Sequence, residues 1–261
     1  MLAKELIAAL NAGAPTPERT CDTIKHGSEQ KELRRVAVCM IGTVDVIRAV
    51  HEWGADMLIV HEPTYYDHMD QASDDPVTRA KQALVAENDM VIYRYHDHMH
   101  GKEIDEIREG ELHYLGLCGT LEKTSDFGSS ILTLNEPLTT REIMQRIESR
   151  LGVRQARMTG AVDKEVTRIA LCFGTPAGVF SFLKSDDIDL VITGEACEWK
   201  LCEYARDAAA LGFRKSLIVM GHIGSERDGM RLLSERLKKE YPALEVAYFE
   251  CGEVYLSPKS R

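Results

Sequence analysis

The fold is decided by residues 36–60, VAVCMIGTVDVIRAVHEWGADMLIV, which predict a strand, a helix and a second strand in succession. Within this stretch Thr43 is a suitable N-cap, apolar residues recur at helical spacing, and Gly54 is a suitable stop. A helix that joins two apolar, β-branched strands is typical of a parallel sheet. The stretch therefore predicts an α/β fold.

The same alternation continues along the 261-residue chain. Apolar runs predict strands at residues 36–40, 57–60, 90–95, 131–134, 169–173, 190–193, 216–220 and 244–249. Helical patterns lie between most of them, at residues 43–54, 76–89, 139–152, 176–184, 196–212 and 225–240. In such folds functional groups gather at the carboxyl ends of the strands.

A polar segment divides the chain near its middle, at residues 122–129 (EKTSDFGS). Each half carries its own set of strands, so we expect two α/β lobes, residues 1–125 and 126–261. Each lobe is predicted to hold a mostly parallel sheet flanked by helices. Residues 15–31 are expected to form a surface loop.

Composition limits the function. The chain has 32 basic and 42 acidic residues and a net charge of −10, which argues against binding to nucleic-acid phosphates. No segment approaches the ~20 apolar residues that cross a bilayer, and the amphipathic residues 1–13 are not typical of a secretory signal. The seven scattered cysteines without a CxxC pair predict buried thiols in a reducing cytosol. We therefore expect a cytoplasmic protein with a small-molecule substrate.

Two clusters of histidine follow predicted strands. The first begins where MLIV, residues 57–60, runs into His61, Glu62 and Pro63. Proline lacks an N–H and favours an extended preceding residue, so the strand is expected to end there with an imidazole and a carboxylate at its mouth. The alternative is a polar strand end with a solvated histidine and glutamate.

The second cluster, HDHMHG, follows the strand predicted at residues 90–95. His96, His98 and His100 share one face if the strand continues, whereas only His96 and His100 share one if a helix starts. Closely packed imidazoles are hard to protonate together, which favours neutral, metal-bound histidine. We interpret the segment as a source of metal ligands, with a solvated loop as the alternative.

A third group lies in LIVMGHIGSERDGM, residues 217–230, where a strand ends before His222 and Ser225 caps a helix. His222 and Glu226 are four residues apart and could point into one cleft; alternatively, Glu226 is an ordinary first-turn acid and His222 a loop residue. Glu195 ends a further strand and could support ligands, face a substrate or cap a helix. Nitrogen and carboxylate donors without thiolate suit zinc, manganese or ferrous iron.

Four segments in order resemble the anchors of the Nif-three-like family, also known as GTP cyclohydrolase one type two-like proteins. They are Val60-His61-Glu62-Pro63, residues 93–100 from Tyr93 to His100, Ile192-Thr193-Gly194-Glu195, and Gly221-His222-Ile223-Gly224-Ser225-Glu226. The resemblance spans nearly the whole chain. It implies a two-lobed Nif-three-like α/β fold, two divalent metal ions per chain and a ring-shaped homohexamer.

The resemblance also implies metal ligands. His61, His222 and Glu226 match family ligands directly, with Glu226 the expected bridge between two ions. It thereby implies a dinuclear site between the two lobes.

Two positions depart from the family pattern. Glu62 stands where the family has a second histidine, and His100 stands where it has an aspartate. If both side chains serve one ion, the exchange preserves one imidazole and one carboxylate. His96 or Asp97 are alternatives to His100 as the ligand.

These features predict a metal-dependent hydrolase that holds two ions of zinc, iron or manganese and activates water with them. Glu62, His98 or Glu195 would handle protons. A nucleotide-like substrate is implied by the family's name alone. The alternative is a non-catalytic metal-binding assembly or regulatory protein, whose site would be closed by protein ligands.

Overall fold

The computed structural model describes residues 1–125 and 128–255. The strands are β1 Ile24–His26, β2 Arg35–Cys39, β3 Met57–Val60, β4 Val91–Arg94, β5 Gly119–Lys123, β6 Ser129–Thr139, β7 Arg157–Gly160, β8 Glu165–Cys172, β9 Leu190–Thr193, β10 Ser216–Val219 and β11 Glu245–Tyr248. The helices are α1 Ala3–Asn11, α2 Val44–Trp53, α3 Pro76–Ala86, α4 Asp97–Gly101, α5 Glu106–Leu115, α6 Thr140–Arg146, α7 Val179–Lys184, α8 Glu203–Ala210 and α9 Arg227–Glu240. Single π-helical turns, Ile147–Leu151 and Glu198–Cys202, extend α6 and precede α8.

The chain folds as two compact units. The first unit comprises Met1–Gly110 and Gly229–Gly252, and the second comprises Glu111–Asp228 together with residues 253–255, within the part of the chain that the structure describes. These bounds differ from the division predicted after residue 125. Strands β5 and β6, on either side of the polar segment, pair within one sheet, and β11 from the end of the chain pairs with β2. Residues 126 and 127 of that polar segment lie outside the described residues.

The sheet of the first unit has the strand order β1-β4-β3-β2-β11. Its last four strands are parallel, and β1 is antiparallel to β4. Every residue of β3 and β4 is buried, which explains their continuous apolar character. Helix α2 packs Ile47 and Val50 on this sheet; Thr43 caps it by accepting the Val46 N–H, as the sequence predicts.

The sheet of the second unit has the order β5-β6-β8-β9-β10-β7. Only β8, β9 and β10 run parallel, so this sheet is mixed and not mostly parallel as predicted. The antiparallel edge strands β5 and β7 were not predicted, because β5 is exposed and β7 is at most half-buried, and neither carries an apolar run. The prediction of an α/β protein with helices flanking its sheets is confirmed.

Two further expectations concern burial and membranes. Cys21 and Cys39 are buried free thiols, whereas Cys118 and Cys197 are exposed. Among the described residues, the helices are too short or too polar to span a membrane.

Candidate metal centre

The carboxyl ends of β3 and β4 bring two histidines together. These strands are parallel neighbours in which Val60 pairs with Arg94. The Tyr95 N–H donates to the Val60 carbonyl at 2.8 Å, so His61 and His96 leave the sheet side by side. Their imidazole rings stack with centroids 4.6 Å apart. The position is the edge of a parallel sheet at which α/β proteins bind ligands.

Helix α4 decides between the two alternatives for the HDHMHG segment. It begins at Asp97, so His96 and His100 face the same side and His98 does not. The His100 ring lies 4.9 Å from that of His96 and 5.1 Å from that of His61. One ring nitrogen from each of these three residues, the histidine cluster, lies within 4.8 Å of the others, close enough to hold a metal ion.

Each imidazole of the histidine cluster has its Nδ1 atom fixed by an oxygen. The pairs are His61 with the Tyr95 carbonyl at 3.0 Å, His96 with Asp97 Oδ1 at 2.9 Å, and His100 with Asp105 Oδ2 at 2.9 Å. Because carbonyls and carboxylates accept hydrogen bonds, a neutral ring here carries its proton on Nδ1 and its lone pair on Nε2. Oxygen partners of this kind orient histidine ligands in metal sites.

Burial and electrostatics favour the neutral imidazole of His61. Burial, followed by the nearby His96 and His100, lowers the pKa of His61 well below its usual value. Burial alone would raise the pKa of Asp105, but the facing His100 and a hydrogen bond from it lower that pKa overall. Asp105 therefore stays ionised and accepts a hydrogen bond from His100 Nδ1.

A buried arginine holds the loop that follows β3. The Arg94 guanidinium is fully buried, and its Nε donates to the His61 carbonyl at 2.9 Å. Its other nitrogens donate to the His68 carbonyl and, at 3.3 Å, to Glu62 Oε2. Glu62 thus lies next to His61 as an ion-pair partner of Arg94. No sequence pattern predicted this role, because Arg94 lies near the end of an apolar run that predicts a strand.

His98 lies in a separate network. Its Nδ1 is 2.7 Å from Asp22 Oδ2 and its Nε2 is 2.9 Å from Thr16 Oγ1. Asp22 also accepts the backbone N–H groups of His96, Asp97 and His98, and so anchors the start of α4. This geometry gives His98 a structural partner on each nitrogen; its role in proton transfer stays a prediction.

In the second unit, the ends of β9 and β10 bring together Glu195, His222 and Glu226. His222 Nδ1 is 2.8 Å from Glu195 Oε1, and His222 Nε2 is 3.1 Å from Glu226 Oε2. Glu195 therefore orients the His222 ring in the way that Asp105 orients His100. Glu226 is buried, whereas the Glu195 side chain is 55% exposed.

Gly174 and Ser225 lie close to Glu226 and His222. Gly174 has φ of +65°, and a Cβ atom there would collide with the Glu226 carboxylate. The Gly174 N–H donates to Ser225 Oγ at 3.0 Å, and Ser225 Oγ donates to the His222 carbonyl at 2.9 Å. The two ligand candidates are thus held by one small network of buried polar groups.

A cavity of about 450 Å³ in the second unit opens beside His222. Its walls are mainly apolar, and they include Met220, Ile223 and Tyr255 with Arg157 among them. A cavity of this size and lining suits a small organic ligand.

The predicted ligands therefore fall into two groups. His61, Glu62, His96 and His100 gather in the first unit, and His222 and Glu226 gather in the second. That the two groups form one dinuclear centre stays a prediction. The sequence reasoning missed Asp105, Asp22 and Arg94, whose spacing from the ligands follows no fixed pattern.

Comparison with known proteins identifies the family. Residues 1–253 match the sequence profile of Duf34/NIF3 (NGG1p interacting factor 3). A similar curated protein, from Clostridium perfringens, is named GTP cyclohydrolase 1 type 2 homolog. It is 25% identical over 222 residues, which cover 82% of this chain and 81% of that protein.

Solved structures share the fold. The protein ybgI, whose structure is described as of unknown function, has a TM-score of 0.77 at 24% identity, covering 98% of this chain and 100% of that one. A Bacillus cereus protein related to NIF3 has a TM-score of 0.73 at 15% identity, covering 99% and 98%. At these identities the likeness shows the fold alone, and that fold is the one predicted from the sequence.

Proposed function

This chain belongs to the Duf34/NIF3 family, and from that premise we propose that it is a divalent-metal-dependent hydrolase of a small, nucleotide-like substrate. The observation that supports it best is the histidine cluster: three imidazole nitrogens within 4.8 Å of one another. In each ring Nδ1 is already engaged by an oxygen. Such an arrangement prepares Nε2 atoms for a metal.

The donor set fits a borderline divalent ion. Imidazole nitrogen combined with carboxylate oxygen suits zinc, ferrous iron or manganese. We propose two ions per chain, one held by His61, His96 and His100 with Glu62 beside them, the other by His222 and Glu226.

A divalent ion at such a site lowers the pKa of a bound water and stabilises negative charge that develops on a substrate. The chain's own residues do the rest. Asp105 and Asp97 hold the His100 and His96 rings in their ligating tautomer. Glu195 is the best-placed proton carrier, because its carboxylate contacts His222 and is also exposed to solvent.

The substrate is proposed from two sources. A relative carries the name GTP cyclohydrolase 1 type 2 homolog, which makes GTP the first compound to test. The cavity of about 450 Å³ beside His222 is within the range for small-molecule sites. We also propose a homohexamer, which light scattering of the purified protein tests.

The test is hydrolysis by metal-loaded protein. Chelator-treated protein is reloaded with Zn²⁺, Fe²⁺ or Mn²⁺ and assayed against GTP and simpler cyclic amides. We expect activity to return with metal and to fall at least about 100-fold in His61→Ala. The control is His51→Ala, which removes an exposed histidine on α2.

Activity that survives both chelation and His61→Ala contradicts the proposal. Tight binding of two ions without turnover of any substrate would instead favour a non-catalytic metal-binding protein.

A further inference from the structure

We propose a further metal site, formed by Cys21, His68 and Asp97, for a thiolate-accepting divalent cation of the zinc class. The Cys21 sulfur, a His68 ring nitrogen and an Asp97 carboxylate oxygen lie within 4.8 Å of one another. The three residues come from separate parts of the first unit: the segment before β1, the loop after β3 and the start of α4. We call this group the thiol site. It does not depend on the proposed hydrolase activity.

Hydrogen bonds hold the Asp97 carboxylate next to Cys21. The Cys21 N–H donates to Asp97 Oδ2 at 3.0 Å, and Thr20 Oγ1 donates to the same oxygen at 2.8 Å. The Cys21 side chain is buried, with 1% of the residue exposed. Sulfur and carboxylate are therefore held next to each other without any metal, which lowers the ordering cost of binding one.

His68 gives the thiol site its solvent side. The residue is exposed, but its carbonyl accepts a hydrogen bond from the buried Arg94, which fixes the backbone position. A cation can therefore enter past the His68 ring. Three protein ligands with one side open to solvent are typical of zinc sites that keep a position for water or a ligand.

The sulfur donor distinguishes the thiol site from the histidine cluster. A thiolate favours softer cations, whereas a site of imidazole and carboxylate also accepts manganese and iron. Asp97 connects the two, since its Oδ1 holds His96 Nδ1 at 2.9 Å while its Oδ2 faces Cys21. On binding, the Cys21 thiol proton passes to solvent and the sulfur ligates as thiolate.

Cobalt tests the thiol site, because thiolate ligation gives Co²⁺ a sulfur-to-metal charge-transfer band in the near ultraviolet that nitrogen and oxygen ligands lack. Full-length, chelator-treated protein is titrated with Co²⁺ under reducing conditions. We expect the band to saturate at the intensity of one thiolate-bound Co²⁺ per chain, while any Co²⁺ that binds to the histidine cluster or to His222 and Glu226 adds nothing to it. Zn²⁺ should remove it by competition, and Mn²⁺ should not.

Variants assign the band. Cys21→Ser should abolish it, and His68→Ala should weaken the Co²⁺ affinity of the band at least about 10-fold. The control Cys118→Ser removes an exposed thiol and should leave it unchanged. The double variant His61→Ala, His100→Ala should keep the band, so failure of the hydrolase proposal is distinguishable from failure of this one.

Absence of the band, or a band that persists in Cys21→Ser, overturns the thiol site. If Cys21→Ser does not fold, as judged by circular dichroism, His68→Ala decides, since His68 is exposed and we expect its replacement to leave the fold intact. An unchanged Co²⁺ affinity in His68→Ala then overturns the proposal.

Discussion

The two candidate ligand groups, one in each unit, are built in different ways. In the first unit three imidazoles are packed against one another, and their outer nitrogens are fixed by a carbonyl and two carboxylates. In the second unit a single imidazole lies between Glu195 and the buried Glu226, with 26% of its side chain exposed. The first group offers three imidazoles that are already oriented and could hold a metal ion. The second combines a ligand pair with solvent access, which favours proton transfer.

The largest expected effect comes from removing one imidazole in each group. His100→Ala should lower the affinity for one divalent ion by about 100-fold or more, because the three-histidine set loses a ligand whose orientation was already fixed. His222→Ala should lower the affinity for a different ion and leave the affinity for the first ion unchanged. Calorimetric titration of Zn²⁺ into chelator-treated protein measures both.

His51→Ala serves as the control for both variants, since His51 is exposed on α2. If either variant loses both ions together, the two groups bind metal as one cooperative centre, and the comparison of two independent groups fails.

A smaller effect is expected from the carboxylates that orient the rings. Asp105→Asn should lower the metal affinity of the first group about 10- to 100-fold, because the neutral amide oxygen accepts the hydrogen bond from His100 less strongly than a carboxylate does. Asp105 is 4% exposed, whereas the Glu195 side chain is 55% exposed. Water can replace Glu195, so Glu195→Gln should change metal affinity less than Asp105→Asn. If Asp105→Asn and Glu195→Gln changed metal affinity equally, the burial of the orienting carboxylate would not explain a difference between the two groups.

The sequence predicted the strands of the first sheet that precede the candidate ligands. Strands β2, β3 and β4 are buried on both faces and therefore appear in the sequence as continuous apolar runs. It left open whether His96 to His100 continue a strand or start a helix. The decision rests on Asp22, which accepts three N–H groups at the start of α4. Asp22 lies more than 70 positions before these residues, and periodic sequence patterns do not predict contacts over such a distance.

Other features escaped prediction for related reasons. Strands β1 and β7 are short edge strands, and β5 is wholly exposed, so none carries an apolar run. Arg94 is a charged residue with no exposure, and its role depends on carbonyls in a loop that only the fold brings near. The thiol of Cys21 was predicted to be buried, but its neighbours His68 and Asp97 come from other segments.

The position of Glu226 is expected to depend on Gly174. Gly174→Ala places a methyl group against the Glu226 carboxylate and also strains a backbone with φ of +65°. We expect a loss of about 2 kcal/mol in the free energy of unfolding, and weaker metal binding by the second group. Chemical denaturation and metal titration measure the two effects.

Gly212→Ala is the matched control. Gly212 has φ of +91° but no atom within 4 Å of the added Cβ, so it carries the backbone strain without the collision. Metal affinity that falls equally in both variants would show that crowding of Glu226 is not the cause.

The smallest expected effect concerns Glu111, a buried acid that contacts Asp228, two residues after Glu226. The Glu111 carboxylate is fully buried and accepts the Asp228 N–H at 2.9 Å. Burial, followed by the nearby Asp228 carboxylate, raises the pKa of Glu111 well above its usual value of 4.5. The folded chain therefore keeps a proton on Glu111 at a pH where the unfolded chain has lost it.

The sign of the pH dependence follows from this difference. Below pH 4.5 both states hold the proton, so Glu111 contributes no dependence; as pH rises further, only the unfolded state releases it, and stability falls until the folded pKa is passed. Glu111→Gln keeps an oxygen for the Asp228 N–H and removes the titration. We expect it to raise stability at pH 8 by about 1 kcal/mol and to change little at pH 4, as thermal unfolding at both values measures. A stabilisation of equal size at both pH values would mean that Glu111 does not titrate differently on folding, and the second unit would then owe none of its pH dependence to this acid.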